Sequence, residues 1–165
     1  MIRLSARVFA LVSLLTAVGA TARAETPEEW IALGARVHGG FGAFIPVGIR
    51  LGLDAMQRLS AKPREVSVVY YDSDKAPCAC VADGVAIATV ATLGQRTLMM
   101  ATEKAPVGAM AVVVVRKKQS EEGFKYRLAD SWLPKLAEWN RTLDARGRYD
   151  AVMQAEGLFE VTGLK

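Results

Sequence analysis

The sequence predicts an α+β domain: a mixed four-stranded sheet with its helices mainly on one face. Three observations lead there. Apolar residues recur at helical spacing toward both ends of the chain, while β-branched and aromatic runs fill the middle. Only one strand-helix-strand unit is present, which argues against a long parallel sheet built from repeated crossovers. The order reads helix, helix, strand, helix, three strands, two helices, so the core is α-β-α-β-β-β with extra C-terminal helices.

Residues 1–24 read as a leader outside that fold. Arg3 and Arg7 give "MIRLSAR" a positive start, "VFALVSLLTAVGA" is a short apolar stretch, and Ala22 and Ala24 set small residues before Glu25. This three-part order is that of a secretory signal peptide. The apolar run falls short of the ~20 residues that cross a bilayer. Cleavage near Ala24-Glu25 and export to the periplasm or beyond are therefore expected. Residues 25–165 then remain as one domain, with no membrane span in the mature chain. The formal charge of +4 includes Arg3, Arg7 and Arg23, and the leader holds no acid. Losing those three arginines takes the charge to +1, which gives no case for nucleic acid as a partner. About 140 residues suffice for one domain with its own core.

The elements follow in order. In "TPEEWIALGARVHG", Thr26 is placed to cap a helix, Pro27 stands first, and Trp30, Leu33 and Val37 share a face that ends at Gly39-Gly40. A second helix is expected from Pro46 to Leu59. Val47, Leu51, Ala55 and Leu59 repeat every fourth residue, and Ile49, Leu53 and Met56 widen the face almost all round. Such a helix has more surface to bury than one thin sheet can cover, so a homodimer is expected. Gly48 and Gly52 would let another backbone approach closely. "REVSVVYYD" fits a buried strand. "CVADGVAIATVATLG" reads as a small-residue helix closed by Gly94. "RTLMMAT", "GAMAVVVVRKK" and "GFKYRLA" read as strands, the last an edge strand with Lys125 and Arg127 on a wet face. "DSWLPKLAEWNRTLDARG" and "YDAVMQAEGLF" give the final helices.

The chain has one histidine, His38, and two cysteines, Cys78 and Cys80. In an oxidising compartment the two cysteines pair with each other, stay reduced around a metal, or are taken by separate partners. A bridge across Cys-Ala-Cys would close a very small loop and be easily reduced. Cys80 at a helix start meets unpaired N–H groups and the positive end of the dipole, which favour a thiolate. Asp83 and Gly84 lie one turn further along the same face. With His38 facing that helix end, His38, Cys78, Cys80 and Asp83 offer three or four ligands suited to zinc, or to copper. Three ligands and an open position would accept a small molecule or water. Each also has a plain reading: the cysteines as small buried residues, His38 as a helix-end histidine, Asp83 as an early-helix carboxylate.

Arg50 sits on an otherwise apolar helix and is expected to pair with a carboxylate or bind an anionic ligand. Gly39 and Gly84 are grouped with it as backbone positions for a ligand. Met99, Met100 and Met110 fall in strand patterns and are expected in the core. Trp30, Trp132 and Trp139 follow helical spacing and read as core or subunit contact. There is no phosphate-binding glycine loop after a strand and no nucleophile elbow.

Two stretches taken together resemble the FmdE domain of formylmethanofuran dehydrogenase and its relatives. The first holds His38-Gly39, Phe41-Gly42, Gly48, Arg50 and Gly52; the second holds Cys80, Asp83-Gly84 and Thr92-Leu93-Gly94. The resemblance covers roughly Trp30 to Val115. It implies the α-β-α-β-β-β fold and a transition-metal site, commonly zinc, with His38 and Cys80 at matching positions. Three positions depart from the family pattern: Gly40 replaces a second histidine, Ala86 a glutamine and Gln95 a lysine. The frame is kept while polar groups are missing. The resemblance therefore implies an exported accessory protein binding a metal or small ligand. A metal-dependent redox or hydrolytic enzyme, and a structural domain with a degenerate site, are the alternatives.

Overall fold

The computed structural model describes residues 24–164, so the expected leader lies outside the described residues except for Ala24. The first helix, α1 (Pro27–His38), starts as its sequence dictates. Thr26 accepts from the Glu29 N–H while the Glu29 carboxylate accepts from the Thr26 N–H at 2.7 Å, a reciprocal cap. Helix α2 (Phe44–Arg58) begins two residues earlier than its periodicity suggests. Strand β1 (Val66–Tyr71) leads into α3 (Cys80–Thr89), which crosses to β2 (Leu98–Met100). Strands β3 (Ala109–Lys117) and β4 (Gly123–Ala129) follow, then a single 3-10 turn at Asp130–Trp132, α4 (Leu133–Thr142), α5 (Ala145–Gln154) and β5 (Glu160–Leu164).

Among the described residues the sheet has five strands in the order β2-β1-β3-β4-β5, with β1 and β2 parallel and the other pairs antiparallel. The α+β class and mixed sheet are as the sequence implies, but the count is five, not four. Strand β5 escapes the sequence pattern because "EVTGL" holds a glycine and has no clean alternation. It forms because β4 would otherwise leave a row of backbone donors and acceptors open; Arg127 pairs with Glu160 and Tyr126 with Val161. Strand β4 is consequently not an edge.

Two other expectations change. Helix α3 stops at Thr89 instead of running to Gly94. The Thr89 hydroxyl donates back to Val85 O at 2.7 Å, Arg64 N–H takes the Thr89 carbonyl at 2.8 Å, and Val90 turns left-handed with φ 56°. Met110 is buried, but Met99 and Met100 on the short outer strand β2 are 47% and 48% exposed and are not core.

Helix α2 is the centre of the molecule. Ile45, Val47, Ile49 and Ala55 are fully buried, along with Val66, Val68 and Tyr70 of β1, Val113 and Val115 of β3 and Tyr126 of β4. The side against α3 is made of glycine. A Cβ on Gly48 would lie 2.1 Å from Val81 O, and one on Gly84 would lie 2.1 Å from Ile45 O, so the two backbones touch there. On another side Arg50 donates to Val152 O and Ala155 O at the end of α5, at 2.7 and 2.5 Å, and lies over the Phe159 ring. The apolar surplus of α2 is thus consumed inside one chain, and the ground given for a homodimer does not hold. Tyr126 donates its hydroxyl to Asp54 Oδ2 at 2.6 Å and Arg58 Nε donates to the same oxygen at 2.6 Å, which ties α2 to the sheet. Burial, and then this bond to Asp54, hold the Tyr126 phenol well above the usual tyrosine range.

Candidate metal centre

Helix α1 ends at His38 because Gly39 adopts φ 86°, a left-handed turn costly for any side chain, and its N–H closes onto Ala35 O at 2.9 Å. The loop beyond is pinned from the far end of the chain. Ala43 N–H donates to Asn140 Oδ1 at 2.6 Å, and Arg148 donates to Phe41 O at 3.0 Å and to Asn140 O at 2.8 Å. The C-terminal helices therefore fix the exit from α1, and with it His38. No local sequence signal marks Asn140 or Arg148 for this role, because their partners lie about a hundred residues away.

The second half of the site sits at the start of α3. The loop between β1 and α3 is fastened by Ser73, whose hydroxyl donates to Met110 O at 2.6 Å. Cys80 is the first helical residue and no side chain caps the helix ahead of it. The Gly48–Gly84 contact holds α3 hard against α2, so the position of Cys80 is set by backbone packing.

These elements bring His38, Cys78 and Cys80 together, with one donor atom from each lying within 4.8 Å of the others. His38 is exposed, Cys78 half-buried and Cys80 buried. Cys78 and Cys80 are joined as a disulfide, with Cα atoms 5.2 Å apart. Asp83 is not in this trio. Its Oδ2 lies 2.8 Å from His38 Nδ1, an arrangement that favours the tautomer donating Nδ1–H to the carboxylate, in which a metal would be met by Nε2. A carboxylate behind a ligating histidine fixes its tautomer and ring plane.

Of the other residues singled out in the sequence, Gly39 flanks His38 with open space where a Cβ would be, and Gly84 is buried in the α2–α3 contact. Of the two partners expected for Arg50, a carboxylate or an anionic ligand, the carboxylate is not found: the guanidinium donates to two main-chain carbonyls. A shallow apolar groove lined by Val37, Ala86, Ile87 and Val90 runs beside the site, since Val37 precedes His38 and Ala86 follows Asp83 by three positions.

The sequence profile of the FmdE family, described as molybdenum formylmethanofuran dehydrogenase operon, matches residues 37–157. The chain belongs to the FmdE family. No curated protein matches it. In this FmdE domain the matched span opens one residue before His38 and runs past α5. It takes in the three donors, Asp83, and the helices that pin the His38 loop.

The trio in the FmdE domain fits a transition metal on one chemical condition. While the sulfurs are bonded to each other, neither is a thiolate and the imidazole is the only donor. Once the bond opens, the set becomes one nitrogen and two sulfurs, borderline-soft donors that suit zinc or copper. Two thiolates on one tetrahedral ion stand about 3.8 Å apart, given metal–sulfur bonds near 2.3 Å. The bonded sulfurs would have to move apart to that spacing, while all three donor atoms start within 4.8 Å of one another.

Proposed function

We propose that the chain is an exported accessory protein that binds a transition metal, zinc first and copper second, through His38, Cys78 and Cys80. The observation that supports this is the convergence of the only histidine and the only two cysteines, from α1 and from the start of α3, with Asp83 set behind the histidine. His38 would ligate through Nε2, Cys80 from the fixed helix and Cys78 from the loop. Asp83 acts through His38 by holding the Nδ1 proton. A bound ion supplies a Lewis-acidic position open to a small molecule or water. The adjoining apolar groove would receive the carbon portion of such a molecule.

The test is the elemental metal content of protein purified with a thiol reductant and without chelator, beside His38→Ala and the double variant Cys78→Ser/Cys80→Ser. Near-stoichiometric metal in the first and none in the variants is the expected result. Metal no higher in the wild type than in the double variant would overturn the reading. Export is checked by the intact mass of protein recovered from the periplasm, expected to start at Glu25.

A homodimer is retained in the proposal on a different ground. Among the described residues no helix is long and apolar enough to cross a membrane. Yet Met99 and Met100 leave apolar surface open along the outer strand of the sheet. A second copy covering that edge predicts a dimer by sedimentation, lost in Met99→Asp/Met100→Asp.

A further inference from the structure

The two sulfurs of the site differ in their surroundings. Cys78 is half-buried and lies in the irregular segment between β1 and α3, where Asp74, Lys75 and Pro77 are exposed. Cys80 is 5% exposed and sits in the first turn of α3, a helix of ten residues with no side-chain cap. The His38 ring stands on the solvent side with a donor nitrogen within 4.8 Å of both sulfurs. The bridge spans a sequence separation of two, so opening it need not disturb a strand or the α2–α3 contact. A structural disulfide ties distant segments together; this one joins near neighbours and closes almost no loop, so it adds little to stability through chain entropy.

From this asymmetry we infer that the Cys78–Cys80 bridge is an exchange-active disulfide, opened by a small thiol through attack on Cys78 Sγ with Cys80 as the leaving sulfur, and that this opening creates the metal donor set. The exchange half stands alone; the gating half rests on the metal-binding reading above. In the first step an external thiolate forms a bond to Cys78 Sγ. The Sγ–Sγ bond breaks, and its electron pair departs on Cys80 Sγ at the positive end of α3. In the second step another thiolate attacks the external sulfur of the mixed disulfide and releases Cys78 as a thiolate. Two small thiols are oxidised to one disulfide, the bridge is reduced to two thiols, and the two protons of the small thiols pass to the protein sulfurs or to solvent. The reverse reaction with a small disulfide closes the bridge and removes both sulfur ligands.

Reduced and oxidised glutathione are the probes for the exchange, applied to the folded wild-type chain. Intact mass follows the gain of two hydrogens, and circular dichroism follows the fold. Expected is full, reversible conversion between bridge and dithiol with the fold unchanged. A bridge that opens only when the chain unfolds would overturn the exchange. Direction is read from single-cysteine variants with oxidised glutathione: Cys80→Ser, which keeps Cys78, should form its adduct about tenfold or more faster than Cys78→Ser. Equal or reversed rates would overturn the assignment of the attacked sulfur. Gating is read by zinc titration of the oxidised and reduced wild type against a chromophoric chelator. Zinc bound by the reduced form alone supports it. Equal binding by both forms overturns the gate and removes the two sulfurs from the metal reading, since the bridged cysteines cannot ligate. No binding by the reduced form, with both thiols titrated as free, removes the metal reading and the gate together; the exchange half is then judged on its own mass data.

Discussion

His38 Nδ1 and Asp83 Oδ2 lie 2.8 Å apart across the junction of α1 and α3, forty-five residues distant in sequence. The pair joins the end of one helix to the first turn of another and fixes the ring of the chain's single histidine. It is 30% and 41% exposed on its two sides, so its contribution to global stability is small, about 0–1 kcal/mol. Its value lies in orientation.

Asp83→Asn should therefore leave the melting temperature nearly unchanged and weaken zinc binding by the reduced protein about 10–100-fold. A chelator competition titration beside a thermal melt checks both halves. Unchanged affinity would show that the carboxylate does not orient the ligand.

Gly48→Ala and Gly84→Ala should each destabilise the fold by about 1–3 kcal/mol or more, because the new methyl meets a main-chain carbonyl oxygen at 2.1 Å and only a shift of the helices makes room. Gly52→Ala meets the Ala88 methyl at 2.8 Å and Thr89 Cγ2 at 3.2 Å, with the nearest main-chain atom, Val85 O, at 3.4 Å, and should cost less. Urea denaturation of the three variants checks the ranking. The first two should also lose metal affinity, since they move the helix that carries Cys80 and Asp83.

Tyr126→Phe removes a fully buried hydroxyl from Asp54 and should cost about 1–2 kcal/mol at neutral pH. The pH dependence follows from the raised phenol. The neutral form is favoured in the folded state, so its contribution is complete below the unfolded tyrosine value near 10 and is lost as pH rises toward the folded value. Wild-type stability should therefore fall more steeply than that of the variant above about pH 10. Denaturant midpoints between neutral and strongly alkaline pH measure the difference; parallel curves would count against the Tyr126–Asp54 bond.

Arg50→Ala should lower stability by about 1–3 kcal/mol, since two carbonyls at the end of α5 lose a charged donor. Zinc affinity of the reduced protein should not change. A matching loss of metal binding would instead bring Arg50 back to the site.

Much of the fold is legible because it is written locally. Thr26, Pro27 and Glu29 begin α1 through contacts three residues apart, and the alternation of "VSVVYY" and "GFKYRLA" fixes which face of β1 and β4 is buried. Strand β5 is not legible, since "EVTGL" becomes a strand only when β4 offers it an open edge. The end of α3 escapes for a related reason: Thr89 closes it with a side-chain bond and a carbonyl given to Arg64, neither of which shows in hydrophobic period.

In the site, the sequence by itself determined the inventory. One histidine and two cysteines are all the chain has, each beside a helix end marked by glycine or a turn, and their spacing carried the family resemblance that the profile match over residues 37–157 bears out. The tertiary structure decided the roles. It set Asp83 behind His38, put Arg50 on the carbonyls of α5, and buried Gly84 against α2. It also made one cysteine of the pair reachable and the other not. The physical reason is range. Caps, turns and alternation act over a few residues and leave their mark on neighbouring letters, whereas orientation, burial and access depend on which backbones touch, and here that is settled by two glycines on helices far apart in the chain.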